Sequence, residues 1–306
     1  LTEGGLVWVK HRNDTYDHML ADTATGVQMY LNSNSSSQAL GPNTTALTSF
    51  NSNGFSIGSL GDYNNSGVPK GYVSWTFRKA PKFFDVVTYT GSGSAKTISH
   101  NLGSVPGMII VKRTDSSADW AVYHRQLNGG TDRGHWRIKL NSTDAQVDQD
   151  TYWNDTAPTD SVFTVGTNSL VNNASSTYVA YVFAHNDGDG GFGPTYDQDI
   201  IKCGSFTTDG SANASLQNLG FEPQFIISKS ITSSVNWYMS DVLRGMSVSD
   251  SSYLSPNLTS AEIANGSAVW VPNAQGFSIA GLGQPNETHI YMAIRRGPLA
   301  PPEAGT

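Results

Sequence analysis

One strand-like phrase occurs three times in this 306-residue chain, as Leu6-Val7-Trp8-Val9-Lys10, Met108-Ile109-Ile110-Val111-Lys112 and Phe225-Ile226-Ile227-Ser228-Lys229. A second apolar run follows each copy some sixty residues on: Tyr72–Phe77, Tyr178–Phe183 and Ile290–Ile294. The intervals agree. Lys10 to Lys112 is 102 residues and Lys112 to Lys229 is 117, while Tyr72 to Tyr178 is 106 and Tyr178 to Tyr291 is 113. Gly54-Phe55-Ser56-Ile57 recurs as Gly276-Phe277-Ser278-Ile279, with Val162–Val165 between, and Asn101-Leu102-Gly103-x-x-Pro106 recurs as Asn218-Leu219-Gly220-x-x-Pro223. A period near 100 is too long for a solenoid turn and fits a small module with its own core. The expected organisation is a row of such modules: 1–82, 83–186 and 200–298, with a Gly/Asp-rich linker at 187–199 and a flexible tail at 299–306.

The second copy opens with Phe84–Tyr89 and Thr97–His100, and the third opens alike at Ile200–Phe206. The first copy has no such opening. The expectation is a piece of a longer polypeptide, with the missing strands supplied upstream or by a neighbouring chain.

Strand periodicity sets the fold class. Trp136-Arg137-Ile138-Lys139-Leu140 alternates apolar and cationic positions, as a half-buried strand does, and Met108–Val111 is apolar throughout, as a strand covered on both faces is. The second copy reads as about seven short strands separated by Gly, Asn and Ser turns. Single helical turns are expected within 144–153 and 258–264 only. The chain therefore reads as all-β, built of tandem antiparallel β-sandwich modules of jelly-roll or concanavalin-like type, with a closed barrel as the alternative.

Composition narrows the partners. Only 14% of residues are charged, below the roughly 25% of average chains, and Ser, Thr, Asn and Gly fill the gap. Net charge is −7 with no Lys/Arg cluster, so binding to nucleic-acid phosphates is not expected. No apolar run is long enough for a membrane-spanning helix, so no membrane insertion is expected. Cys203 is the single cysteine, which excludes an intrachain disulfide and fits synthesis in a reducing cytoplasm.

Candidate chemistry is sparse. The seven histidines show no Ser-His-Asp or Cys-His spacing and read as surface or turn residues; His124 aligns with Ser240 or Asp241. No pair of carboxylates stands out for glycoside hydrolysis. Tyr152 and Trp153, in a polar stretch, are the candidate glycan-stacking platform, whereas Trp120, Trp136, Trp237 and Trp270 read as core. Asp187 and Asp189, in Asp-Gly-Asp-Gly, form a candidate Ca²⁺ loop, although position twelve is Gln198 rather than Glu. No other cofactor is expected.

The stretches Tyr89-Thr90-Gly91-Ser92-Gly93, Ile98–Lys112, Tyr178–Gly190 and Ile290–Pro298 resemble a repeat of tail-fibre and other virion structural proteins of marine tailed bacteriophages, including those of cyanobacteria. The resemblance implies a non-enzymatic structural or receptor-binding protein of the virion, made in the host cytoplasm. It implies a homo-oligomer, commonly a trimer, touching other virion proteins and a host-surface glycan. A bacterial carbohydrate-binding or adhesion module and a depolymerase tailspike are the competing readings.

Overall fold

The computed structural model describes residues 1, 3–65, 71–193, 195–247, 251–266 and 269–297. The fold is all-β and antiparallel. The first module comprises β1 (Gly5–His11), β2 (Met19–Asp22), β3 (Leu31–Asn32), β4 (Leu47–Asn51), β5 (Gly54–Ile57) and β6 (Tyr72–Arg78). The second comprises β7 (Phe84–Thr90), β8 (Lys96–Ser99), β9 (Pro106–Arg113), β10 (Ala121–His124), β11 (Trp136–Lys139), β12 (Val147–Asp148), β13 (Val162–Val165) and β14 (Thr177–Ala184). The third comprises β15 (Ile201–Thr207), β16 (Ala214–Asn218), β17 (Pro223–Ser230), β18 (Tyr238–Asp241), β19 (Ser251–Tyr253), β20 (Ile263–Gly266), β21 (Val269–Asn273), β22 (Gly276–Ala280) and β23 (Thr288–Arg295). Among the described residues helix is confined to a 3₁₀ turn at Leu127–Gly130 and one α-turn, α1 (Ser169–Asn172), and does not occur in the two segments expected.

Each module is a sandwich of one large and one small sheet. The large sheets run β3-β2-β1-β6, β12-β11-β10-β9-β14-β7 and β15-β23-β17-β18; the small ones include β4-β5, β13-β8 and β16-β22-β21. Strand alternation divides the large sheets' side chains between two cores. In β1, Val7 and Val9 pack with Leu47 of the small sheet, while Leu6 and Trp8 point the other way. In β17, Ile226 joins Phe277 and Trp270 of the small sheet, while Phe225 and Ile227 face away.

The residues that face away meet at the centre of the molecule. Leu6, Trp8, Trp75 and Phe77 of the first module join Met108, Ile110, Tyr181 and Phe183 of the second and Phe225, Ile227, Met292 and Ile294 of the third in one continuous core. Phe77 touches both neighbours, edge-on to Phe183 at 5.3 Å and to Phe225 at 5.9 Å. The modules are therefore not beads in a row. The lysine strand of each large sheet, β1, β9 or β17, is buried on both faces, by its own small sheet and by the other two modules. This explains why the repeated Lys-ended strand lacks a polar side. The expected tail at 299–306 lies outside the described residues.

Candidate functional site

A set of buried polar groups at the three seams between modules repeats in cyclic order. Eight residues after each strand lysine stands a ring: His18, Trp120 or Trp237. Its backbone amide donates to an asparagine side chain of the same module: His18 to Asn34 at 2.9 Å, Trp120 to Asn141 at 3.0 Å and Trp237 to Asn257 at 3.1 Å. Each asparagine amide donates in turn to the residue before the ring, Asp17, Asp119 or Asn236, at 2.6, 2.8 and 2.7 Å.

Two of the rings then cross the seams. Trp120 Nε1 donates to the Asn32 and Ser35 carbonyls at 3.1 and 3.0 Å, and Trp237 Nε1 donates to the Lys139 carbonyl at 2.9 Å. Asn32 and Lys139 each lie two residues before the clamp asparagine of the preceding module. The third ring, His18, makes no such bond across its seam: its Nδ1 accepts from Trp8 Nε1 of the same module at 3.0 Å, and its Nε2 is buried without a partner. A backbone bond runs the opposite way at every seam. Ala39 donates to the Thr114 carbonyl at 2.9 Å, Gln146 to Ile231 at 3.1 Å and Glu262 to Arg12 at 2.7 Å. Every donor is five residues past a clamp asparagine and every acceptor two past a strand lysine. Three modules joined by the same backbone bond in the order first to second, second to third and third to first form a closed ring.

The far ends of β2, β10 and β18 carry a second set: Asp22, His124 and Asp241, each four residues past its ring. Asp22 accepts from the Tyr181 hydroxyl at 2.9 Å, and Asp241 accepts from Trp75 Nε1 at 3.0 Å. By strand register Met292 stands where Trp75 and Tyr181 stand in the other modules. A thioether cannot donate, and at that seam the acid is replaced by His124, whose Nε2 lies 3.0 Å from the Tyr291 carbonyl. Donor and acceptor have changed together, so no buried carboxylate is left unpaired. The first-to-third seam adds ions. Arg244 bonds Asp241 at 2.6 Å and Glu262 at 2.9 Å, and Glu262 also takes Arg12 at 2.6 Å.

The three strand lysines are fully buried. Each ammonium is held by two backbone carbonyls: Lys10 by His11 and Asp14, Lys112 by Ser36 and Ala118, Lys229 by Ser230 and Ser233. Burial lowers all three to about 8. Histidines follow the same pattern. His124 falls to about 3 and His289 to about 4 through burial, and His18 lies well below its ordinary value for the same reason.

The predicted site residues fall elsewhere. Tyr152 and Trp153 are core residues, 2% and 1% exposed, with Trp153 edge-on to Tyr123 at 5.8 Å and Arg137 over the Tyr152 ring. The loop is polar in sequence but tucks both rings inward, and a buried face cannot stack on a sugar. Asp187 and Asp189 are exposed, and Asp189 Oδ1 accepts the Asp187 amide at 3.0 Å. Their neighbour Asp199 accepts the Gly188 and Gly190 amides and pairs with Lys202 at 3.2 Å. Among the described residues no group of three His, Cys, Asp or Glu side chains is placed to hold a metal ion. The histidine expectation is corrected in part: His11, His18, His100, His124 and His289 are buried, and Nδ1 of His11, His100 and His124 accepts a turn amide two residues on. Trp120, Trp237 and Trp270 are core as expected, Trp136 is half-buried, and Cys203 is buried. Sequence reasoning missed the seam residues. Their signal was present in the Asp/Asn-ring pairs at 17–18, 119–120 and 236–237, each at a fixed distance from the repeated lysine.

A search of curated proteins found no match. Among solved structures, the crystal structure of the STIV MCP aligns with 69% of this chain and 85% of its own length, at 8% identity and a TM-score of 0.20. A family model described as a domain of unknown function, DUF7483, matches residues 2–298, and the chain belongs to that family.

Proposed function

We propose that this chain is a non-enzymatic structural protein of a tailed-phage virion, a rigid block of the tail fibre or particle surface. The ring of three modules with seam bonds repeated in cyclic order carries the reading. Several groups a catalyst would use are committed to structure instead: the three strand lysines to backbone carbonyls, and His124, Asp22, Asp241 and Glu262 to bonds between modules. A block of this kind resists deformation, which suits a part that projects from a particle and transmits load. The repeat's resemblance to virion proteins supplies the setting.

Attachment to a host glycan is the finer part of the proposal. With Tyr152 and Trp153 in the core, stacking falls to surface rings, and Tyr196, 78% exposed within the Gly/Asp-rich segment, is the candidate. Homo-oligomerisation, in fibres commonly as trimers, would use outer faces, since the inner faces of all three modules are already covered. Immunogold labelling of native particles tests the setting: label on tails or particle surface is expected, and its absence from purified particles overturns the proposal. Host polysaccharide shortened by the purified protein would instead favour the depolymerase reading. Unchanged cell binding by Tyr196→Ala removes the glycan contact assigned here.

A further inference from the structure

The third module differs from its sisters in what closes its seams. Each of the two polar sets that repeat around the ring contains one histidine. His124 takes the place of Asp22 and Asp241, and His18 takes the place of Trp120 and Trp237. His124 meets the third module at the Tyr291 carbonyl, and Arg244 of the third module acts on His18. Both seams of the third module therefore hold a buried histidine. The first-to-second seam is crossed by other groups: Trp120 Nε1 donates to the Asn32 carbonyl, the Tyr181 hydroxyl to Asp22 and the Lys112 ammonium to the Ser36 carbonyl.

Each of these rings has a place for one proton only. His124 Nδ1 accepts the Gln126 amide at 3.2 Å, so its proton sits on Nε2 and is given to the Tyr291 carbonyl at 3.0 Å. His18 Nδ1 accepts from Trp8 Nε1 at 3.0 Å, so its proton sits on Nε2, buried without a partner. A second proton sets N–H against N–H in both. Among the described residues, none of the groups acting on either ring is a carboxylate. Arg125 acts on His124, and the third module's Tyr291 and Cys203 at that seam are held neutral by burial. His185 lies at the same junction, where its Nδ1 accepts the Cys203 amide at 3.1 Å, and a proton there works in the same direction. Lys10 and Arg244 act on His18; Asp241 and Glu262 of that seam are bonded to Arg244, and the neighbouring Asp17 to Asn32 and Asn34. Burial lowers both histidines, so each supports its closed seam fully above the ordinary histidine value and loses that support as pH falls. With His124 at about 3 in the closed seam and at its ordinary value in the open one, pH 4.5 shifts the balance towards opening by about a hundredfold. Asp22 has the opposite sign. Burial raises it, so acid favours the closed first-to-second seam.

The connections suit a selective release. Five residues, 79–83, join β6 to β7, whereas sixteen, 185–200, join β14 to β15 and include left-handed Gly188, Gly191 and Gly193. The third module also keeps a separate core, with Leu219, Ile226, Trp270 and Phe277 packed among residues of that module alone. We propose that the ring is an acid-operated clasp: protonation of His124 and His18 releases the third module as a folded unit, tethered by residues 185–200, while the first and second modules stay joined. At neutral pH all three seams are closed. Release bares Phe225, Ile227 and Ile294, the third module's share of the central core. The proposal is independent of where the protein acts.

The three equivalent seam amides are built-in reporters: Ala39 for the first-to-second seam, Gln146 for the second-to-third and Glu262 for the third-to-first. Hydrogen exchange of the intact protein from pH 7 to pH 4, read as protection relative to the unfolded chain at the same pH, is the test. Protection of Gln146 and Glu262 should fall at least tenfold by about pH 4.5, while Ala39 stays protected and the far-ultraviolet circular dichroism is unchanged. Return to pH 7 should restore both. His124→Gln keeps a donor for the Tyr291 carbonyl but does not titrate, so the fall at Gln146 should move to lower pH by at least about half a unit. Loss of protection at all three amides together, loss at Ala39 first, or no loss before the strands themselves unfold overturns the proposal. So does an unchanged midpoint in folded His124→Gln. Should that variant not fold at pH 7, the order of the three amides in the unaltered protein decides alone.

Discussion

Lys10, Lys112 and Lys229 are costly to bury, because each brings a charge into the interior with carbonyl dipoles rather than a carboxylate as its nearest partners. Burial lowers each to about 8. An unfolded lysine titrates near 10.4. With the folded value depressed, the unfolded chain binds more protons between those limits, so stability rises with pH across that window. Melting temperature should climb from pH 8 to about 9.5, before tyrosines such as Tyr123 and Tyr291, held at about 12 by burial, begin to oppose it above pH 10. Lys112→Met should flatten part of that climb, and an equal slope in the variant would contradict the assignment. The histidines act at the acid end with the same sign. His124, lowered to about 3, is neutral when folded, so its contribution is complete above about pH 6.5 and is lost as pH falls towards 3. A second residue-scale prediction comes from volume. Trp8 and His18 stand where the sisters have Ile110 with Trp120 and Ile227 with Trp237, so a large and a smaller side chain have exchanged places. Trp8 Nε1 also donates to His18 Nδ1 at 3.0 Å. Trp8→Ile alone should cost about 2–4 kcal/mol through the cavity it leaves. His18→Trp alone should cost about 1–3 kcal/mol through overpacking. The double variant should recover at least about 1 kcal/mol of the sum, read from urea denaturation of all four proteins.

At the scale of elements, the strands were legible in the sequence because a period of two, fixed turns and a threefold repeat all point to the same strands. The seams were not. A pattern of apolar alternation says that a strand has two covered faces, but not whether the second cover comes from its own module or from another. Met108–Val111 reads the same in a sandwich and in a ring. The polar seam residues were hidden for a related reason: of the three equivalent positions two carry aspartate, Asp22 and Asp241, and the third carries His124, so the middle copy breaks the pattern. Tyr152 and Trp153 misled because a loop's composition does not fix the direction of its rings. The seam between β6 and β18 offers the sharpest test of an element contact. Arg244, with a side chain only 2% exposed, links Asp241 to Glu262. Arg244→Met should cost about 3–5 kcal/mol, because two buried carboxylates lose their common cation. Tyr181→Phe, which removes one donor from Asp22, should cost about 1.5–3 kcal/mol. Chemical denaturation of both variants checks the order, and a smaller loss in Arg244→Met than in Tyr181→Phe would show that the ion network is not what closes this seam.

At the scale of the molecule, a core shared by three modules makes a prediction that a row of independent modules does not. If each module held only its own small core, heating would give up to three transitions, each sized for about 100 residues. Here Phe77 packs on Phe183 and Phe225 at once, and every seam removes apolar and polar surface from two modules together. Opening one module therefore exposes the inner faces of the other two. A single calorimetric transition is expected, with a van't Hoff enthalpy close to the calorimetric one for the whole chain. Cys203 gives an independent probe of the same point. Its side chain is buried in β15, at the junction with the second module: a Cβ added to Gly107 would meet its Sγ at 2.6 Å. Burial pushes the thiol well above its ordinary value. Thiolate chemistry at that atom requires the junction to open. Labelling by a thiol reagent at neutral pH should therefore proceed at the rate of global unfolding and respond to Arg244→Met, although Arg244 lies at a different seam. Labelling that is fast in the native protein, or unaffected by that variant, would mean that the third module opens without the first, and the ring would have to be redrawn as modules that move separately.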